Sequence, residues 1–122
     1  MRPRSITLYL AMLISPYAGA TESVCAKASV KAEKEKILVP AYMSGRKVIG
    51  KGEAYFYTAP DEQCQVKNIF IIPNDVVQAY SDVENFTYVI YWNVKGKDVS
   101  GWMLSSRLVD TGTGIGPNYE QK

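Results

Sequence analysis

The chain has 122 residues, with 14 lysines and arginines, 12 aspartates and glutamates, and no histidine. Without histidine, every serine–histidine or cysteine–histidine nucleophile and any histidine general base is excluded. A zinc site would need carboxylate ligands, which is uncommon. We therefore expect a protein with no catalytic residues, no metal and no cofactor.

The first 20 residues have the pattern of a signal peptide. Arg2 and Arg4 give a positively charged start, residues 6–14 are mostly apolar, and residues 18–20 (Ala-Gly-Ala) form a small-residue cleavage site. The apolar stretch is shorter than the ~20 residues that a membrane-spanning helix needs. We therefore expect an exported, periplasmic protein rather than membrane insertion. The alternative is that this stretch is an apolar N-terminal strand of the mature domain.

Cleavage after residue 20 would also change the charge. Arg2 and Arg4 would be lost, which leaves 12 basic and 12 acidic residues and a net charge of zero. A neutral domain gives no electrostatic reason to expect nucleic acid or an anionic membrane as a partner. The remaining chain is long enough for one domain with one core.

Two cysteines, Cys25 and Cys64, lie in the predicted mature chain. Because an exported protein meets an oxidising compartment, an even pair of cysteines favours a disulfide. Two free or metal-binding thiols are the alternative. A bridge would tie the N-terminal segment to the body of the domain.

Residues 21–36 are predicted to form a short helical arm. They are rich in alanine, lysine and glutamate, and Lys27, Lys31 and Glu35 repeat at i, i+4 spacing. The segment therefore differs from the chain that follows, where the pattern is typical of strands.

Residues 37–110 are predicted to form a small β-barrel of five to six strands, because short β-prone runs are separated by turn signals. The runs lie at positions 37–39, 48–49, 53–58, 69–72, 76–80, 86–94 and 99–104. We expect a polar loop at 62–68, turns at 81–82 and 95–98, a single-turn helix at 105–108 and a flexible tail at 111–122. Five residues should be largely buried, because they fall on apolar phases of successive strands or match inward positions of the family whose two motifs are described next: Phe56, Ile71, Val89, Met103 and Leu108.

Two motifs carry a resemblance to a known family. Residues 54–60 (Ala-Tyr-Phe-Tyr-Thr-Ala-Pro) have the pattern apolar-x-apolar-x-Ser/Thr-Gly/Ala-Pro, and residues 101–108 (Gly-Trp-Met-Leu-Ser-Ser-Arg-Leu) are close to Gly-Trp-Val-x-Ser-x-x-Leu. They resemble the opening and closing segments of the bacterial Src-homology-3-like (SH3-like) domain family. The resemblance implies an SH3-like barrel and a binding module. The longer loop after Pro60, which carries a cysteine, departs from the family pattern.

Aromatic residues are the candidates for a binding surface, because they offer large apolar area with a polar tip. Alternate residues of a strand point to opposite faces, so Tyr55 and Tyr57 should lie opposite the inward Phe56. In the resembling family, the residue that matches Trp102 borders the ligand groove. The sequence therefore predicts an exposed aromatic face beside the loop that follows Pro60. The candidate binding residues are Tyr55, Tyr57, Trp102, Asp61 and Glu62.

Three functions are compatible with these features. The first is an exported inhibitor, such as the immunity protein of a toxin that acts on the cell wall. The second, which the resemblance implies more directly, is a peptidoglycan- or peptide-binding module. The third, an enzyme, has the least support because the chain has no histidine. We expect a protein partner, a toxin or secreted effector, with peptidoglycan as the alternative ligand.

Overall fold

The computed structural model describes residues 16–93 and 96–114, with side chains from residue 21 onward. In this part of the chain one α-helix precedes eight strands. The elements are α1 (Pro16–Glu35), β1 (Ile37–Leu38), β2 (Gly45–Val48), β3 (Ala54–Tyr57), β4 (Gln65–Ile71), β5 (Val76–Val83), β6 (Phe86–Trp92), β7 (Asp98–Leu104) and β8 (Leu108–Asp110). Single 3-10 turns lie at Ala41–Met43, Glu62–Cys64 and Ser105–Arg107. The predicted mainly β fold with an N-terminal helical arm is confirmed. Residues 1–15 of the predicted signal peptide lie outside the described residues.

The strands form one curled, antiparallel sheet. The order across the sheet is β4-β3-β7-β6-β5-β2-β8, and the short strand β1 also pairs with β5. The sheet has more strands than the five to six expected because β1 and β8, of two and three residues, pair along its margins. β4 begins at Gln65, so the predicted polar loop is shorter than expected.

The inner face of the curled sheet carries the main core. Four of the five residues expected to be buried are buried, and Leu108 is half-buried against them. Alternation along each strand explains this, since one phase of every strand points inward. The core cluster consists of Val48, Ala54, Phe56, Ile71, Val77, Val89 and Met103.

The predicted turn at residues 81–82 is wrong. Ser81 and Asp82 continue β5, where they pair with β1 on one side and with β6 on the other. The turn falls at Glu84 and Asn85 instead. A β-bulge between Ala79 and Ser81 shifts the register, so the side-chain alternation of β5 changes phase at this point.

Helix α1 packs on the outer face of the sheet. Cys25 in the helix is bonded to Cys64, with Cα atoms 5.8 Å apart, so the predicted disulfide is present. Further along the helix, Ala32 is buried against the sheet. The Lys31 ammonium lies 3.2 Å from the Glu84 carboxylate in an exposed ion pair. The disulfide, this small residue and the ion pair together position the helix.

The residues that follow β8 are hydrogen-bonded to the beginning of β2. The Gly45 amide donates to the Thr113 carbonyl at 2.8 Å, and the Thr111 amide donates to the Gly45 carbonyl at 3.2 Å. A Cβ atom at this position would lie 2.9 Å from the Thr113 carbonyl oxygen and would also meet the Thr111 hydroxyl, so a larger residue at position 45 would displace this segment. Thr111 and Thr113, at the start of the expected flexible tail, are thus hydrogen-bonded to Gly45. The flexibility of the tail stays a prediction, and residues 115–122 lie outside the described part.

Arg107, in the second of the two motifs (residues 101–108), holds the loop between β2 and β3. The Arg107 guanidinium donates to three backbone carbonyls, those of Ile49 (2.7 Å), Gly52 (2.8 Å) and Glu53 (3.0 Å). The planar guanidinium suits this task because its N–H groups point in several fixed directions. Arg107 thereby fixes the loop that leads into β3.

Candidate functional site

A row of residues crosses the outer face of the sheet at the level of α1. Tyr57 on β3 is opposite Trp102 on β7, Trp102 is opposite Tyr88 on β6, and Tyr88 is opposite Ser81 on β5. The rings of Tyr88 and Trp102 meet edge to face with centroids 5.3 Å apart, and Tyr80 continues the row at 6.4 Å from Tyr88. Aromatic groups at these separations stabilise one another. The rings of Trp102, Tyr88 and Tyr80 therefore pack in series and form a floor beneath α1.

The helix and this row enclose a cleft of about 260 Å³. The helix side is one stripe, because its residues recur at i, i+3, i+4 and i+7. The cleft is lined by Ser29, Ala32, Glu33, Lys36, Tyr80, Ser81, Tyr88 and Trp102. We call this feature the aromatic cleft.

Exposure changes steeply along the floor of the aromatic cleft. Trp102 is only 8% exposed, Tyr88 is half-buried, and Tyr80 is 61% exposed. The β-bulge contributes to this arrangement, because it brings the consecutive residues Tyr80 and Ser81 to the same cleft. The cleft thus has a buried inner end and an exposed aromatic ring at its mouth.

The charges at the cleft compensate each other. The Lys36 ammonium lies 3.1 Å from the Glu33 carboxylate, and both side chains come from the helix side. The Tyr88 hydroxyl donates to the Ser100 hydroxyl at 3.1 Å. The cleft therefore offers aromatic surface and hydrogen-bonding groups without a net charge.

Two buried polar groups in the cleft have no hydrogen-bond partner among the described residues. Ser81 is 3% exposed, and its hydroxyl makes no hydrogen bond to this part of the protein. The indole N–H of the buried Trp102 likewise has no acceptor there. The other buried hydroxyls are satisfied: Ser44 contacts the Ala41 carbonyl, and Thr87 donates to Asp82, each at 2.7 Å.

The structure corrects the predicted exposure of Tyr57 and Trp102. Both are buried, because Ala32 of the helix and Phe86 of β6 pack over this end of the sheet. The Tyr57 ring meets Phe86 edge to face at 5.1 Å, and its hydroxyl donates to Gln65 at 3.3 Å. Burial raises the pKa of Tyr57, and the nearby Glu62 charge raises it further. Tyr57 is thus part of the support beneath the cleft.

Tyr55 lies on the same face but outside the aromatic cleft. It is half-buried, its ring packs edge to face on Phe70 at 5.6 Å, and its hydroxyl donates to Glu53. That hydrogen bond raises the pKa of Tyr55. Tyr55 therefore belongs to the β3–β4 side of the sheet.

Asp61 and Glu62 are also outside the aromatic cleft. The Asp61 carboxylate accepts from the Gln63 amide at 2.8 Å and so caps the 3-10 turn at Glu62–Cys64. Asp61 lines a different depression with Glu84, and Glu62 lines another with Ser105. The structure does not bring the five predicted binding residues together at one site.

Sequence reasoning missed the helix side of the cleft and Ser81. Tyr80 and Tyr88 are aromatic residues in β-prone runs, so the sequence alone could have indicated them as candidate binding residues. The i, i+3, i+4, i+7 stripe from Ser29 to Lys36 was also readable, but nothing in the sequence showed which strands it would face.

Neither a metal centre nor a membrane span is found among the described residues. No group of three or more cysteines, aspartates and glutamates in this part of the chain is arranged to hold a metal ion. No helix within these residues is long and apolar enough to cross a membrane.

Comparison with protein-family models, with curated proteins and with solved structures finds no match to this chain. The SH3-like resemblance therefore stays a prediction that rests on the two motifs.

Proposed function

We propose that this protein is an exported, non-enzymatic binding domain that docks on a protein partner through the aromatic cleft. The observation that carries the proposal is the row Trp102, Tyr88 and Tyr80, which runs from a buried floor to an exposed ring. Tryptophan and tyrosine are enriched among the few residues that carry most of the binding energy of protein interfaces.

The walls of the cleft support this proposal because they are held in place before binding. The floor is formed by paired strands, and the helix is bonded to the domain through Cys25 and Cys64. A site that is already ordered loses less conformational entropy when a partner docks. The compensated Glu33–Lys36 pair is consistent with a partner surface that is not strongly charged.

Among protein partners, we propose a secreted toxin or effector that acts on the cell wall, with this chain as its immunity protein or inhibitor. The support comes from the sequence: a predicted signal peptide, zero mature net charge and no histidine base. The alternative is a peptidoglycan- or peptide-binding module, which the exposed Tyr80 ring could also serve.

A titration with one variant and one matched control tests the proposal. The activities of purified wall-degrading enzymes, including any that is encoded beside this gene, are measured while the mature protein is added. We expect the natural chain to inhibit its target enzyme stoichiometrically. Tyr80→Ala should weaken the affinity for the enzyme about 30-fold or more. Phe70→Ala should inhibit the enzyme as well as the natural chain does. Phe70 is also partly exposed but packs on Tyr55, away from the cleft.

Sedimentation with purified peptidoglycan distinguishes the alternative. The proposal predicts that the mature protein stays in the supernatant. Retention on peptidoglycan that Tyr80→Ala abolishes, together with no effect on the enzyme, would establish the wall-binding module instead.

A further inference from the structure

The unpartnered polar groups of the aromatic cleft indicate what it binds. Buried hydroxyl and N–H groups almost always have a hydrogen-bond partner, and an unsatisfied group is costly. Among the described residues, Ser81 and Trp102 are two exceptions that line the same cleft, whereas the buried Ser44 and Thr87 elsewhere have partners. An indole N–H can only donate. The missing partner at Trp102 is therefore an acceptor.

The spacing of the two groups points to an extended ligand. Ser81 and Trp102 are both opposite Tyr88, on the strands that flank it, so their Cα atoms lie about 10 Å apart across the sheet. An extended peptide presents carbonyl oxygens along one edge at every second residue, about 7 Å apart. Because both residues line the same cleft, two successive carbonyls on one edge of such a peptide match this separation to within the reach of the side chains.

The rest of the lining sets the side-chain preference. Tyr80 and Tyr88 offer apolar ring surface at the mouth, and the Glu33–Lys36 pair gives the cleft no net charge. The volume of about 260 Å³ is slightly below that of typical sites for whole small molecules. The cleft is thus suited to a few residues of a larger chain.

We propose that the aromatic cleft binds an extended, uncharged peptide segment of the partner. Two main-chain carbonyls accept hydrogen bonds from the Ser81 hydroxyl and the Trp102 indole N–H, and an apolar side chain packs on Tyr80 and Tyr88. This inference rests on the proposed function, since it specifies how the partner is recognised at the same cleft.

Nuclear magnetic resonance with a defined probe tests the inference. The capped tripeptide N-acetyl-Ala-Leu-Ala-N-methylamide is added at millimolar concentration to the ¹⁵N-labelled mature protein, and the trimer of N-acetylglucosamine is used in parallel. The chain has two tryptophans, and Trp92 lies outside the cleft lining. We expect the peptide to shift the indole N–H signal of Trp102 in a saturable way and to leave that of Trp92 unchanged.

Two variants with matched controls complete the test. Ser81→Ala should weaken the peptide about 3- to 10-fold, the effect of one hydrogen bond, whereas Ser106→Ala on the exposed turn should not. Trp102→Phe keeps an aromatic ring but removes the donor, and its control is Trp92→Phe. Since Trp102→Phe can also affect folding, Ser81→Ala is decisive.

Each contrary result overturns the inference. If the sugar trimer shifts Trp102 and the peptide does not, the cleft recognises carbohydrate. If neither shifts it, or if Ser81→Ala leaves peptide binding unaltered, the two donors do not bind main-chain carbonyls. Inhibition of a wall-degrading enzyme together with no peptide shift would refute this inference and leave the proposed function standing. A peptide shift without inhibition of any such enzyme would refute the inhibitor role and leave this inference standing.

Discussion

Removal of the Cys25–Cys64 disulfide should have two effects. It should destabilise the fold, and it should open the aromatic cleft by releasing the helix that forms one of its walls. The bond closes a loop with a sequence separation of 39 residues, for which chain entropy predicts a stabilisation of about 4 kcal/mol. That is a large part of the roughly 5–15 kcal/mol typical of a domain. Without the bond, the helix would be held mainly by Ala32 and by the exposed Lys31–Glu84 pair, and such a pair contributes at most about 1 kcal/mol.

The assay is urea denaturation of the Cys25→Ala/Cys64→Ala variant, followed by tryptophan emission. We expect the free energy of unfolding to fall by about 4 kcal/mol, and emission to shift to longer wavelength before global unfolding, as Trp102 meets water. Natural protein kept reduced by excess reductant, without alkylation, is the control, because its free thiols separate loss of the bond from the side-chain change at the buried Cys64. A loss below about 1 kcal/mol with unchanged emission would refute this account of how the helix is held.

Three further predictions concern the fold. Phe56→Ala should cost about 3–5 kcal/mol in urea denaturation because it empties part of the main core; a cost below about 1 kcal/mol would contradict that packing. Arg107→Ala should cost about 1–3 kcal/mol through three lost charge-assisted hydrogen bonds, and Arg107→Lys should recover only part of it. Folding raises the pKa of Tyr57, so stability should be intact below about pH 10 and fall as the pH rises through the raised pKa; an equally steep alkaline fall in Tyr57→Phe would contradict this.

The period-2 pattern was sufficient to predict the inner core. Phe56 was assigned inward from alternation within one strand, and Val89 and Met103 from their own strands, because side-chain phase is a local property. The disulfide could also be predicted from the sequence, since two cysteines in a chain predicted to be exported allow only one pairing.

The aromatic cleft was harder to predict from the sequence, because it depends on contacts between distant parts of the chain. The buried state of Tyr57 and Trp102 follows from where the helix packs, and that position is set by Cys64 and Ala32 together. The β-bulge at Tyr80 cannot be inferred from alternation, because a bulge interrupts the alternation itself. The predicted turn at residues 81–82 failed because Ser81 and Asp82, although polar, pair with β1 and β6 within the sheet.

Photocrosslinking in the periplasm tests the central claim, that the aromatic cleft docks on a protein, whatever the identity of that partner. Benzoylphenylalanine is introduced in place of Tyr80 at the mouth of the cleft, and in a separate variant in place of Phe70 on β4. We expect irradiation to join the Tyr80-substituted chain to one protein of defined mass, and the Phe70-substituted chain to give no such product. Equal crosslinking from both positions, or capture of peptidoglycan fragments alone from position 80, would contradict it.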